Sequence, residues 1–299
     1  MTLSLPASAG PSLDNLYHRF QCRQDIADPI QRVRNFASPR DREIVGLLSA
    51  GLSFGRVTSV LQSIDSVLEV MGRSPATFIR YFDPREHCDT LGALTHRWVR
   101  GPDLLAFLWV VRQMLEGYGS IERFFLEGHR DTSQDVGEAL ESFSERAMAV
   151  DLSQVYVRGQ RRGVSYFFPR PSNGSACKRL NLYLRWMVRR DQLDFGIWST
   201  IRPAQLVIPL DTHMIKVGQC LGLTRYRSPG WAMAREITAS LRRFDPNDPV
   251  KYDFALCHVG MMDQCGFREN WGAERCPLRE WCRPRRRIRR RSRRPSDRR

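Results

Sequence analysis

The stretch "LVIPLDTHMIKVGQCLGL", residues 206–223, carries one acid in otherwise apolar or basic surroundings. Asp211 follows an apolar run containing a proline and immediately precedes what reads as a helix over 212–221. A carboxylate at that position accepts hydrogen bonds from the first unpaired N–H groups of the helix and meets the positive end of its dipole. It is thereby kept ionised even when partly buried, and its direction is fixed. Such an aspartate is either a helix cap alone or a reactive group that the cap position holds in place.

Outward from this stretch, helical periodicity dominates and no run of alternating strands stands out. Ser38-Pro39 opens a helix with a capping hydroxyl and a first-turn proline, followed by Ile44, Leu47, Leu48, Gly51 and Leu52 at helical spacing. Further helices are expected near 56–71, 102–117, 134–150, 177–190, 229–243 and 249–262, the last capped by Asp248-Pro249. Residues 151–176 are rich in Gly, Pro and Ser and lack a period, so they read as a loop or linker between two helical halves. The expectation is an all-α fold: a two-lobed helical bundle with a cleft between the lobes. Residues 1–150 form the N-terminal lobe, 151–282 the second lobe, and 283–299 a disordered tail.

With 42% hydrophobic residues in 299, the chain has enough apolar material for a core. No apolar run approaches the roughly 18 residues of a membrane span. The beginning, "MTLSLPASAG", has neither basic n-region nor apolar h-region and reads as no signal peptide. The eight cysteines are dilute, which favours thiols or metal ligands over a disulfide framework and points to the cytoplasm. The formal net charge is +15, but the tail "RPRRRIRRRSRRPSDRR", residues 283–299, holds eleven arginines and one aspartate. Ten of the fifteen charges therefore sit in an arm that can contact phosphates without reading sequence, and +5 remains for residues 1–282.

Upstream of Asp211 stands "GSACKRLNLYL", residues 174–184. Together with "DTHMIKVGQCLGL" it resembles the helix-hairpin-helix DNA glycosylase superfamily of the endonuclease III type. Asp211, Thr212, His213, Val217, Leu221, Gly222 and Leu223 fall on that pattern. Gly174 matches the first glycine of the hairpin motif, and Ala176 replaces the second. The resemblance implies that Lys178 is the nucleophile of a bifunctional enzyme and Asp211 its second catalytic group. The 33 residues separating them resemble the longer spacing of archaeal 8-oxoguanine glycosylases, with residues 191–209 as an inserted loop. "KRLNLYLRWMVRRDQLDFGIW", "IPLDTH" and "DPVKYDFAL" together also resemble a family of uncharacterised bacterial proteins, over most of residues 13–282.

The chemistry fits those residue types. Breaking an N-glycosidic bond develops positive charge on the sugar, which an oriented carboxylate stabilises. A lysine attacks C1′ only as the neutral amine, which desolvation and cationic neighbours favour; Arg179 and Arg185 are close in sequence. The target base must leave the stack first, and Tyr183, Trp186, Phe195 and Trp198 are candidates to receive it. The helix start at Gly174 and Ser175 suits a phosphate. Arg179, Arg185, Arg189 and Arg190 read as a basic face, and His213 as a structural or DNA-contacting residue.

At the end of the chain "CPLREWC" resembles the closing half of the endonuclease III cluster motif. Cys265, Cys276 and Cys282 take three ligand places, and Cys257 is the candidate fourth. The implied cofactor is a [4Fe-4S] cluster; zinc, with His258 joining the three thiolates, and free thiols are the alternatives. The expected function is base excision from damaged double-stranded DNA by a monomeric, nucleoid-associated glycosylase, with lyase activity through Lys178. The alternative is a nucleic-acid-binding protein that keeps the fold without the chemistry.

Overall fold

The computed structural model describes residues 5–21, 27–156, 163–261 and 276–282. Among these, α1 (Gly10–Gln21), α2 (Ile30–Arg34), α3 (Pro39–Leu52), α4 (Val57–Met71), α5 (Pro75–Arg80) and α6 (Gly101–Tyr118) come first. They are followed by α7 (Ile121–Leu126), α8 (Gly137–Met148), α9 (Lys178–Val188), α10 (Thr212–Leu221), α11 (Trp231–Arg242) and α12 (Asp253–Met261). A two-residue-per-strand hairpin, β1 (Thr95–His96) and β2 (Val99–Arg100), is the only sheet among the described residues. The expected all-α class holds at this level.

The chain divides into two compact units, but not at residue 150. One unit is Gln24–Ile201; the other joins Met1–Arg23 to Arg202–Arg299. The irregular stretch expected to be a linker belongs inside the first of these. Asp103, in the first turn of α6, accepts from the Arg100 backbone N–H at 3.0 Å, as a first-turn acid should. The same carboxylate accepts from the Tyr156 hydroxyl and the Gly163 N–H, both at 2.8 Å. Ser144 of α8 donates to the Pro169 carbonyl at 3.0 Å. A stretch without period is thus sewn to two helices by its own polar groups, and composition does not reveal that.

In unit Gln24–Ile201 the centre is α9, in which Leu180 through Val188 are all buried. It lies against α3, where Gly46 leaves room for Tyr183 and Met187: a Cβ there would meet Met187 at 2.9 Å. Glu43 of α3 is buried beside this contact and accepts from the Glu122 N–H at 2.7 Å and Trp198 Nε1 at 2.9 Å. Burial pushes the Glu43 pKa up, against the opposing pull of its hydrogen bonds.

In the other unit α10 packs on α12 and α12 on α1, where Phe20 meets Phe254 edge-on at 6.3 Å. Gly218 of α10 admits Ile237 of α11, since a Cβ would lie 2.8 Å from its Cδ1. Gly222, at φ 75°, ends α10 in the left-handed conformation that glycine adopts without strain. The helix expected to start at Asp248-Pro249 begins later: Pro249–Tyr252 is a 3-10 turn, and Asp253 opens α12. No described helix is long and apolar enough to cross a membrane.

Candidate functional site

Lys178 opens α9 and is half-buried; its Nζ donates to the Ser53 carbonyl, 3.1 Å away at the end of α3. The residue before it, Cys177, takes a left-handed conformation at φ 47°, which turns the chain sharply into the helix. Gly174, also left-handed at φ 74°, is exposed with nothing within 4 Å of a Cβ position. Ser175 spends its hydroxyl on the Cys177 N–H at 3.1 Å. Ahead of α9 the described residues form short 3-10 turns, Gly163–Tyr166 and Pro171–Asn173. Only the second helix of the expected helix-hairpin-helix therefore has a plain counterpart.

Beside Lys178 lies an aromatic group that periodicity does not single out. The Trp98 ring stacks on Phe54 at 4.5 Å between centroids, and Tyr166 tilts against Trp98 at 5.9 Å. His96 meets Phe54 edge-on at 4.6 Å. Arg97 sits over Trp98 at 5.5 Å and Arg179 over Phe54 at 5.1 Å. The β1–β2 hairpin presents Arg97 and Trp98 at its tip, with Arg97 in the left-handed region at φ 55°. Gly55, at φ 107°, lets Arg97 come close: a Cβ there would stand 3.0 Å from Arg97 Cδ. Trp98 and Arg97 are exposed. The sequence signal was available: "HRWVR", residues 96–100, is an aromatic between arginines outside any helical stripe.

A cavity of about 120 Å³ adjoins this group, with Gln62, Ser63, Thr95 and His96 in its lining. His96 bridges Ser63 Oγ at 2.9 Å and the Phe54 carbonyl at 3.0 Å. Desolvation lowers the His96 pKa, which favours the neutral ring.

Of the four arginines expected to form a basic face, Arg190 is exposed, Arg179 half-buried and the other two buried. Arg185 and Arg189 are each 3% exposed, because α9 is enclosed on all sides. Arg185 bonds Asp194 at 3.2 Å; Arg189 bonds Asp194 and, at 2.9 Å, Asp191. Both guanidinium groups are engaged by buried acids. The signal lay in "DQLD", residues 191–194, whose two acids neutralise the buried guanidinium groups. Arg179 donates to the carbonyls of Gly51, at 2.9 Å, and Tyr166, and burial pushes its pKa down to about 10. Its work is to hold Phe54 and Tyr166 in place. Tyr183, Trp186 and Trp198 are core residues, each at most 2% exposed, so they receive no base. Phe195 is half-buried under Arg34 and Arg42.

Asp211 belongs to the other unit and is the N-cap of α10, its Oδ1 accepting from the Met214 N–H at 2.6 Å. The Cys257 thiol donates to the same oxygen at 3.5 Å. His213, one residue into the helix, has an enclosed Nδ1 without a hydrogen bond among the described residues. The oriented, partly buried carboxylate that the sequence implies is therefore present.

A cluster or zinc site needs three or four ligands converging on one point. Cys257 instead faces Asp211 and, at 3.7 Å, Asp253. Cys282 has its sulfur 2.6 Å from that of Cys220, a cysteine outside the expected set. Cys276 opens the turn that ends at Cys282, and Cys265 lies outside the described residues. Among the described residues no three His, Cys, Asp or Glu side chains group as metal ligands.

No curated protein matches the sequence. The family model described as "Protein of unknown function (DUF2400)" matches residues 28–262, most of the chain, and the chain belongs to that family.

Proposed function

We propose that the protein is a base-excision enzyme of the helix-hairpin-helix glycosylase type, acting on damaged double-stranded DNA. The supporting observation is that the Lys178 amine bonds the carbonyl of Ser53, the residue before Phe54, on which the exposed Trp98 stacks. A nucleophile, an aromatic surface for an unstacked base and the Arg97 cation belong to the same unit. In this reading Trp98 and Phe54 receive the nucleotide, Arg97 neutralises backbone charge, and Lys178 bonds to C1′ as the N-glycosidic bond breaks. The base leaves with one amine proton; the C1′–O4′ bond then opens, O4′ takes the second, and a Schiff base to the ring-opened sugar remains. The resemblance gives Asp211, the N-cap of α10, the part of the second catalytic group.

The Ser53 contact favours a second reading. A lysine donating to a carbonyl is also placed as a phosphate-binding ammonium, which makes the protein a nucleic-acid binder without chemistry. Incubating the protein with duplexes carrying an oxidised purine or an abasic site separates the two. The enzyme reading expects strand cleavage lost in Lys178→Gln and Asp211→Asn. Tight binding with no cleavage by the unaltered protein would leave the second.

A further inference from the structure

We propose that Cys220 and Cys282 form a reversible disulfide that fastens the base of the arginine-rich tail to helix α10. Cys220 lies in the last turn of α10, just before the Gly222 cap. Cys282 closes the 3-10 turn Arg279–Trp281, its N–H donating to the Arg279 carbonyl at 3.2 Å. That turn is anchored by Leu278, which is 2% exposed, so the approach of the two sulfurs is set by packing on both sides. They lie 2.6 Å apart across 62 positions of sequence. Unbonded carbons pack at about 3.5–4.0 Å, and a disulfide bond spans about 2.05 Å. Packing that brings two sulfurs inside the ordinary contact distance has brought them within reach of one bond.

Both Cys220 and Cys282 are half-exposed, so a small oxidant reaches them. Cys276 is half-exposed as well, so the pairing is assigned on the 2.6 Å approach of the Cys220 and Cys282 sulfurs. Cys177 is buried, and burial pushes its pKa up to about 12, which leaves it without the thiolate that exchange requires. Cys257 is buried against Asp211 and Asp253.

The oxidant class is a low-molecular-weight disulfide such as oxidised glutathione. One cysteine, as thiolate, attacks that disulfide and expels one reduced thiol, leaving a mixed disulfide on the protein. The second cysteine, losing its proton, displaces the other reduced thiol. Two protein thiols are oxidised by two electrons, and one small disulfide becomes two small thiols. In a reducing compartment the reaction runs back. Arg283, the first of the eleven tail arginines, follows Cys282 directly, so the bond fixes where the polycationic arm starts relative to the helix that Asp211 caps.

The full-length protein, purified under reductant, is equilibrated with glutathione mixtures of rising oxidation. It is then alkylated, digested and mapped by mass spectrometry. One internal linkage, Cys220 to Cys282, is expected, with two alkylation sites lost and both restored by dithiothreitol. Cys220→Ser and Cys282→Ser each abolish it, and Cys88→Ser, at an exposed position, leaves it unchanged. Any other pairing, or glutathione adducts alone, would overturn the proposal. So would iron or zinc bound in stoichiometric amount and released when these thiols are alkylated. If the serine variants do not fold, the map of the unaltered chain decides between the same outcomes.

Discussion

The Trp98 ring covers the Phe54 ring at a centroid distance of 4.5 Å and 22° from parallel, while 43% of Trp98 stays exposed. A tryptophan serving only the core would be enclosed; one stacked at a surface between Arg97 and Arg179 offers a flat π face with cations near it. Base–aromatic stacking contributes about 1–3 kcal/mol per base. Trp98→Ala should therefore weaken binding of a lesion-bearing or single-stranded oligonucleotide about tenfold or more, measured by fluorescence anisotropy, with thermal unfolding little changed.

Asp211 combines two roles that substitution separates. Asparagine caps a helix about as well as aspartate, whereas alanine costs about 1 kcal/mol. Asp211→Asn should retain the unfolding temperature and lose lesion cleavage; Asp211→Ala should lose both. Differential scanning calorimetry and a cleavage assay on the same preparations read the two effects.

Arg185 and Asp194 form an ion pair with side chains 4% and 1% exposed. Removing Arg185 leaves the buried Asp194 with Arg189 as its remaining ion-pair partner, at a cost of up to about 3–5 kcal/mol. Arg185→Met should lower stability severely, and Arg185→Met with Asp194→Leu should recover part of it, as followed by urea unfolding. An exposed DNA-binding arginine would instead change affinity and leave unfolding alone.

Glu43 gives a pH signature. Its folded-state pKa lies above the ordinary carboxylate value of 4.5 because burial disfavours the charge. Between the unfolded and folded values the native state holds the extra proton, so stability declines as pH rises through that window. Glu43→Gln, which keeps an oxygen for Trp198 and the Glu122 N–H, should flatten the decline. Unfolding midpoints from pH 4 upward, compared between the two proteins, check it.

The arginine tail should govern salt dependence more than lesion recognition. Each phosphate contact contributes about 0.9 to the slope of log affinity against log salt on duplex DNA. A chain ending at Cys282 should show a markedly shallower slope and the same ratio of lesion to undamaged binding. An unchanged slope would place the phosphate contacts elsewhere.

Much of the helical framework was legible because apolar spacing, Ser38-Pro39 and Asp211 are local signals. The short helices α2, α5 and α7 carry too few turns for a period to show. The division of the chain was misread at 151–176, whose attachment to Asp103 and Ser144 is a matter of long-range hydrogen bonds. Lys178 and Asp211 each stand at the helix start expected of them, one in each unit. Arg185 and Arg189 were misassigned because a helix buried on every side has no solvent face, whatever charges it carries. Phe54, Trp98 and Tyr166 come from three separate loops or turns, and Cys220 finds Cys282 across 62 positions; such meetings have no period to detect.

Borohydride reduction during incubation with an abasic or oxidised-purine duplex, followed by peptide mapping of the adduct, addresses the assignment of Lys178 most directly. A covalent adduct on the Lys178 peptide, absent from Lys178→Gln, is the expected result. An adduct on another amine, or none while the protein binds the same duplex, would contradict it.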